Sequence, residues 1–235
     1  MSRPFSFKQF SVTQQQSAFK VGTDSVVLGA WARIDRAAHI LDIGTGTGLL
    51  ALMCAQRNAH ASVTAIEKDG ASATEAGNNF AASPWAERLQ AVHIPLADYL
   101  PAREFDYIIC NPPYFLQALR PADARKADAR HADGRWFTAL ARKADAMAAE
   151  QARFGCILPV KEYEYLGQEW AKLGWHGARV QRLLPYPGGE KVRILAEWTR
   201  QETIPEIRPD LYVRNAGRGY DDAYTELTRD FYLSP

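Results

Sequence analysis

Residues 40–57 set the terms for the rest of the chain. Ile40-Leu41-Asp42-Ile43 is a short buried strand, Gly44-Thr45-Gly46-Thr47-Gly48 a tight turn, and Leu49 to Arg57 a mostly apolar helix. Strand, glycine turn and helix make the first half of a βαβ unit, which commits the chain to an α/β fold with a largely parallel sheet. The pattern then recurs. Ser62 to Ile66 is a strand ended by Glu67, the alanine-rich Ala71 to Ala82 its return helix, and Ala91 to Ile94 a third strand, followed by Pro95-Leu96-Ala97-Asp98.

A second feature closes the apolar run Phe105-Asp106-Tyr107-Ile108-Ile109-Cys110. Asn111-Pro112-Pro113-Tyr114 follows it at once. Two prolines fix φ twice and remove two backbone donors, so the strand stops and nearby carbonyls are left to face a ligand. Open α/β sheets hold their ligands at the carboxyl ends of their strands. An amide, bare carbonyls and an aromatic ring there suit a flat molecule that presents an amino group.

The glycine turn brings backbone close to a ligand at a helix amino terminus. A dinucleotide fingerprint would need glycine at position 49, where this chain has Leu49, and no Gly-Lys-Ser/Thr follows to make a P-loop. Asp42 and Glu67 also add negative charge without a nearby cation. Those acids fit a neutral or cationic nucleoside ligand. Glu67 can accept both ribose hydroxyls, Asp98 a proton of an adenine amino group, and Asp42 the ammonium of an amino-acid end. S-adenosylmethionine offers all three.

The ordered set resembles the Rossmann-like S-adenosylmethionine-dependent methyltransferases of the amino-methylating branch. Leu41 to Gly48 is similar to their cofactor loop, Glu67 to their ribose-binding acid, Asp98 to the residue beside the adenine, and Asn111-Pro112-Pro113-Tyr114 to their catalytic motif. Further stretches, Phe7-Lys8-Gln9-Phe10, Lys20-Val21-Gly22-Thr23-Asp24, Leu28-Gly29-Ala30-Trp31, Ser83 to Arg88 and Tyr224 to Leu233, resemble the bacterial subfamily that methylates N6 of adenosine 37 in valine tRNA. The resemblance implies a seven-stranded, mostly parallel sheet with its last strand antiparallel and helices on both faces. It also implies Asn111, Pro112 and Tyr114 as catalytic residues. Lys20, Gly22, Thr23, Asp42, Gly44, Gly46, Gly48, Glu67, Asp98 and Asn111 would bind the cofactor, and valine tRNA would be the partner. Acceptors used elsewhere in the superfamily are rRNA, DNA adenine and a protein glutamine amide. A non-enzymatic RNA-binding module on this fold is the remaining rival.

Organisation follows from the same pass. Residues 1–38 are expected to be an arm and helix packed on the core, anchored by Phe5, Phe7 and Phe10, with Thr23 or Asp24 capping the helix. Residues 39–235 form the methyltransferase domain. The polar, charged stretch 115–136 is expected to be a substrate loop. Val180 to Leu184 and Val192 to Trp198 bracket Pro185-Tyr-Pro-Gly-Gly189 as two antiparallel strands. The balance of 28 Lys+Arg against 27 Asp+Glu means that any RNA-binding charge must be local. Candidates are Arg3, Lys8, Lys20, Arg120, Arg125, Lys126, Arg130, Arg179, Arg182, Lys191 and Arg193. Cys54, Cys110 and Cys156 sit in apolar runs, an odd number with no paired spacing, which points to reduced core thiols and a cytoplasmic protein. No metal-ligand spacing, signal sequence, membrane-length run or obligate protein partner is evident.

Overall fold

The computed structural model describes residues 3–17, 20–112 and 126–233, with side chains described from residue 134 in the helix that starts at Lys126. A two-stranded hairpin comes first, β1 (Phe5–Ser6) and β2 (Ser11–Val12), then α1 (Thr23–Trp31). The alternating core follows as β3 (His39–Ile43), α2 (Leu49–Arg57), β4 (Ser62–Glu67), α3 (Gly70–Ala81), β5 (Leu89–His93) and β6 (Phe105–Cys110). Beyond it lie α4 (Lys126–Met147), β7 (Ala148–Pro159), α5 (Val160–Lys172), β8 (His176–Leu184) and β9 (Arg193–Thr199). Two short strands, β10 (Glu206–Ile207) and β11 (Leu211–Tyr212), precede α6 (Asp222–Thr228).

The sheet runs β10-β8-β9-β7-β6-β3-β4-β5, with β11 also on β8, giving nine strands where seven were expected. The two additions are two-residue strands parallel to β8, formed where the chain runs back along the outer edge. β9 is antiparallel to both of its neighbours, β7 and β8, and the other pairings are parallel.

Successive residues of a strand face opposite sides of a sheet. In β6, Tyr107 and Ile109 enter the core cluster that includes residues of α1, α2, α3 and α6. Phe105, Ile108 and Cys110 enter the cluster that includes residues of α4 and α5. By that period Asn111, the next residue, belongs to the α1 side.

The arm is fastened by side chains as well as by burial. Phe7 and Phe10 are buried, with ring centroids 4.6 Å apart. Glu75 of α3, itself buried, accepts the amides of Gln15, Gln16 and Ser17 at 2.5, 3.1 and 2.9 Å. Asn79 joins the arm to the glycine turn, donating to the carbonyls of Thr13 and Thr47 at 2.9 and 2.8 Å. Below α1, the buried Glu197 of β9 accepts from the Tyr107 hydroxyl at 2.6 Å and the Arg33 amide at 2.8 Å, and pairs with Arg179 at 3.2 Å.

Three expectations change. Gly22 caps α1, with extended φ −126° and ψ 155°, while Thr23 and Asp24 are its first helical residues. Arg179 lies in the core against Glu197 and over the Trp31 ring at 3.5 Å, so it is no rim cation. Residues 126–136, expected in a loop, are helical. Their alanines and long charged side chains favour helix, and the apolar face from Phe137 onward anchors it.

Candidate functional site

The parallel register pairs Ile43 with Cys110, so Gly44 and Asn111 leave adjacent strands side by side. Paired strands run about 4.8 Å apart. Ile66 of β4 pairs with Ile43 in turn, and Glu67 with His93 of β5. The carboxyl ends of β5, β4, β3 and β6 therefore form one row holding Glu67, the glycine turn and Asn111.

The turn needs its glycines. Gly44, Gly46 and Gly48 have φ of 71°, 56° and 85°, in the left-handed region that costs other residues about 1–2 kcal/mol. At Gly48 a Cβ would also stand 3.0 Å or less from the Phe80 ring. At Gly44 the space around a Cβ is open for 4 Å, and at Gly46 it meets Ser17 Oγ of the arm at 3.6 Å. The arm thus borders the turn while leaving a face of it clear.

Asp42 lies beneath the turn, fully buried. Its Oδ2 accepts from the Thr45 hydroxyl at 2.5 Å, and its Oδ1 is buried with no hydrogen-bond partner among the described residues. Burial pushes this carboxyl up to about 7, with the Thr45 hydroxyl and the nearby Ala51 amide pulling against it and the Glu67 charge adding to the rise. A ligand donor would complete such a group. Glu67, half-buried, accepts the Gly46 amide through Oε2 and the Asp69 amide through Oε1, both at 3.0 Å. It therefore shapes the turn, and each oxygen keeps a further lone pair for a hydroxyl. Asp98 is exposed and lies five residues beyond the end of β5, its amide bonded to Pro95 O at 3.0 Å. An orphaned buried carboxylate oxygen, an open glycine cradle and a second acid at the next strand end fit a cofactor with a ribose and a cationic amino-acid end.

Asn111 is half-buried and Pro112 buried. The Asn111 Nδ2 donates to Ser25 Oγ of α1 at 2.7 Å, with Oδ1 the other end of the amide. Next to Ser25, Asp24 accepts from Arg193 Nε at 3.2 Å. Burial raises the Asp24 carboxyl, and the arginine opposes the rise. Lys20, Gly22 and Thr23 are exposed at the entry to α1. The same end of α1 thus carries the Gly22-Thr23 stretch and the contact to Asn111. Pro113, Tyr114 and Arg120 lie outside the described residues, as does Arg125.

Sequence reasoning missed Ser25, Arg193 as a partner of Asp24, and Glu75 and Asn79 as anchors of the arm. Each acts across more than 30 positions of chain, where periodicity carries no signal. Among the described residues no group of three or more His, Cys, Asp or Glu side chains could hold a metal ion. No described helix is long and apolar enough to cross a membrane.

Residues 7–127 match the family model of the methyltransferase small domain. A tRNA1(Val) (adenine(37)-N6)-methyltransferase of Vibrio campbellii is 37% identical over 232 residues, covering 99% of this chain and 96% of that protein. The enzyme of that name from Pedobacter heparinus is 38% identical over 237 residues, covering 100% of both. In fold, the chain matches the crystal structure of a predicted O-methyltransferase from Agrobacterium tumefaciens with a TM-score of 0.70 at 19% identity, over 91% of this chain and 99% of that one. With its glycine turn, Glu67 and Asn111 in one row, the chain belongs to the family of the tRNA1(Val) (adenine(37)-N6)-methyltransferases.

Proposed function

We propose that this protein transfers the methyl group of S-adenosylmethionine to N6 of adenosine 37 in the anticodon loop of valine tRNA. The observation that carries the reading is the Ile43–Cys110 register, which sets Asn111 beside the glycine turn, with Ser25 holding its Nδ2. The sheet is read as a seven-stranded methyltransferase core with two short strands added at its edge.

In this reading Asp42, Glu67 and the turn at Gly44, Gly46 and Gly48 hold the cofactor, with Asp98, Lys20, Gly22 and Thr23 bordering it. Bound there, S-adenosylmethionine supplies an electrophilic methyl on a sulfonium. The adenine amine is a poor nucleophile because its lone pair is delocalised into the ring. Asn111 Oδ1 and the Pro112 carbonyl accept its two N–H bonds, which favours the pyramidal nitrogen and the positive charge it gains on attack. Neither amide is a base, so the proton shed by the product nitrogen leaves to water. Tyr114 stacks on the base, a contact worth about 1–3 kcal/mol. The base must leave its stack to enter, which costs less from an anticodon loop than from a duplex.

Nucleoside analysis of tRNA from a strain lacking the protein tests this directly. One N6-methyladenosine should disappear from valine tRNA and return with the wild-type protein. An unchanged nucleoside profile would overturn the assignment.

A further inference from the structure

The outer half of the sheet delivers two more segments to the edge that holds Asn111. Because β9 is antiparallel to both β7 and β8, β8 runs parallel to β6 and ends at the same side. Residues 185–191 leave from there. β11 is parallel to β8, pairing Leu211 with Leu183 and Tyr212 with Leu184, so residues 213–221 leave from there too. The segments are stitched together, Val213 N donating to Leu184 O at 2.9 Å and Arg214 N to Pro185 O at 3.0 Å. β6 and β8 are three strand spacings apart, roughly 14 Å.

These segments display aromatic rings and cations in the open. Tyr186 is 54% exposed and Tyr220 41%. The Arg214 guanidinium lies 4.7 Å over the Tyr220 ring, and Tyr220 stacks on Tyr224 at 5.5 Å with 12° between planes. Arg214 donates to the Arg218 carbonyl at 2.8 Å and has no carboxylate partner among the described residues. Lys191 and Arg218 are exposed, and no ion pair involves either among the described residues. Neighbouring Arg182 and Arg193, by contrast, are paired with Asp210 and Asp24. The loop is pre-shaped, since the Asn215 amide and carbonyl bond Gly219 O and Arg218 N, each at 3.0 Å.

Packing on the buried Tyr224 seats Tyr220, but the open rings and cations of Tyr186, Arg214, Lys191 and Arg218 are what single-stranded RNA would cover. Bases stack on tyrosine rings and guanidinium planes, and unpaired cations meet phosphates. We propose that segments 185–191 and 213–221 form a platform for the RNA strand flanking the methylated base. Bases stack on Tyr186 and on the Arg214 plane, and phosphates meet Lys191 and Arg218. The inference rests on the acceptor being RNA and adds where that RNA is gripped.

The test uses the full-length protein and a fluorescent RNA of the valine anticodon stem-loop. Tyr186→Ala/Arg214→Ala should weaken RNA binding about 30-fold or more, the loss of two stacked bases. The KM for tRNA should rise to match, with kcat at saturating tRNA within about twofold and S-adenosylmethionine affinity unchanged. Lys191→Ala/Arg218→Ala should reduce the slope of log K against log salt by about 1.4, the value for two phosphate contacts on a single strand. Arg214→Lys keeps the charge and loses the plane, so it should keep the wild-type salt slope but not the wild-type affinity. Thermal unfolding midpoints control for folding. RNA affinity and salt slope equal to wild type in both double variants would overturn the platform, whatever the methylation result. Loss of RNA binding in the variants of a protein that methylates no tRNA would keep the platform and overturn the proposed acceptor.

Discussion

The two halves of the carboxyl edge present different side chains. On the β3–β5 side, the residues proposed to hold the cofactor are Asp42, Glu67 and Asp98, acids around a glycine turn, with Lys20 at their border. On the β8–β11 side, the segments proposed to meet RNA carry Lys191, Arg214 and Arg218 among exposed tyrosines, with Glu190 and Asp221 beside them. Asn111 stands between them at the end of β6. In the proposed arrangement acids face the cationic cofactor, exposed rings and cations face the RNA, and the reacting atoms meet at the boundary.

The boundary gives the largest expected effect. Asn111→Ala should lower the single-turnover rate by about 10²- to 10³-fold, the range for loss of one group aimed at developing charge. RNA affinity should stay within about twofold, and saturating cofactor separates the rate from any change in cofactor binding. A rate within a few-fold of wild type, with both ligands bound, would remove Asn111 from the chemistry.

On the acid side, Glu67→Ala removes the acceptor of the Gly46 and Asp69 amides as well as any hydroxyl contact. Hydrogen bonds to charged groups are worth about 1.5–3 kcal/mol, so cofactor binding should weaken roughly 10- to 100-fold. RNA affinity should not move, and a parallel loss of both would erase the division between the halves.

Asp42 sharpens the contrast through pH. Its carboxyl is raised from 3.8 to about 7, so the folded protein holds a proton that the unfolded chain has released. Between about pH 4 and 7 the native state binds more protons. Stability therefore falls as pH rises through this window, and the cost of the buried charge is fully present above it. In the ligand-free protein, Asp42→Asn should flatten this slope in urea midpoints measured from pH 5 to 8. A ligand that donates to Oδ1 favours the ionised form, so cofactor affinity should rise with pH through about 7 in the wild type and lose that rise in Asp42→Asn. Calorimetric titrations with equal slopes in the two proteins would remove Asp42 from cofactor binding.

Local signals made the acid side legible in the sequence. Strand, glycine turn and acid lie within a few residues of one another from Ile40 to Glu67, and the backbone follows those cues closely. Asn111 was legible for the same reason, because two prolines stop its strand. The cation side was legible only in part. Arg179 and Lys191 look alike as charged residues near a hairpin, yet one is spent on Glu197 in the core and the other is exposed. Arg214 and Tyr220 reach the edge only because β11 runs parallel to β8, a two-residue pairing with no periodicity to announce it.

The smallest expected effect tests how finely the boundary is set. Asn111 presents an oxygen or an NH2 to the acceptor amine according to a half-turn of its amide, and only the oxygen can accept from that amine. Ser25 accepts from Nδ2 at 2.7 Å, which leaves Oδ1 for the amine. Ser25→Ala leaves the amide nitrogen without that partner and lets the turned form compete. One hydrogen bond of this kind is worth about 0.5–1.5 kcal/mol, so kcat should fall about 2- to 12-fold. Cofactor affinity and the KM for tRNA should hold, because neither depends on which way the amide points. Ser25→Thr keeps the hydroxyl and should restore the rate. A wild-type kcat in Ser25→Ala would mean that other contacts of Asn111 set its direction, and a rise in KM would place Ser25 in acceptor binding, on the RNA side of the divide.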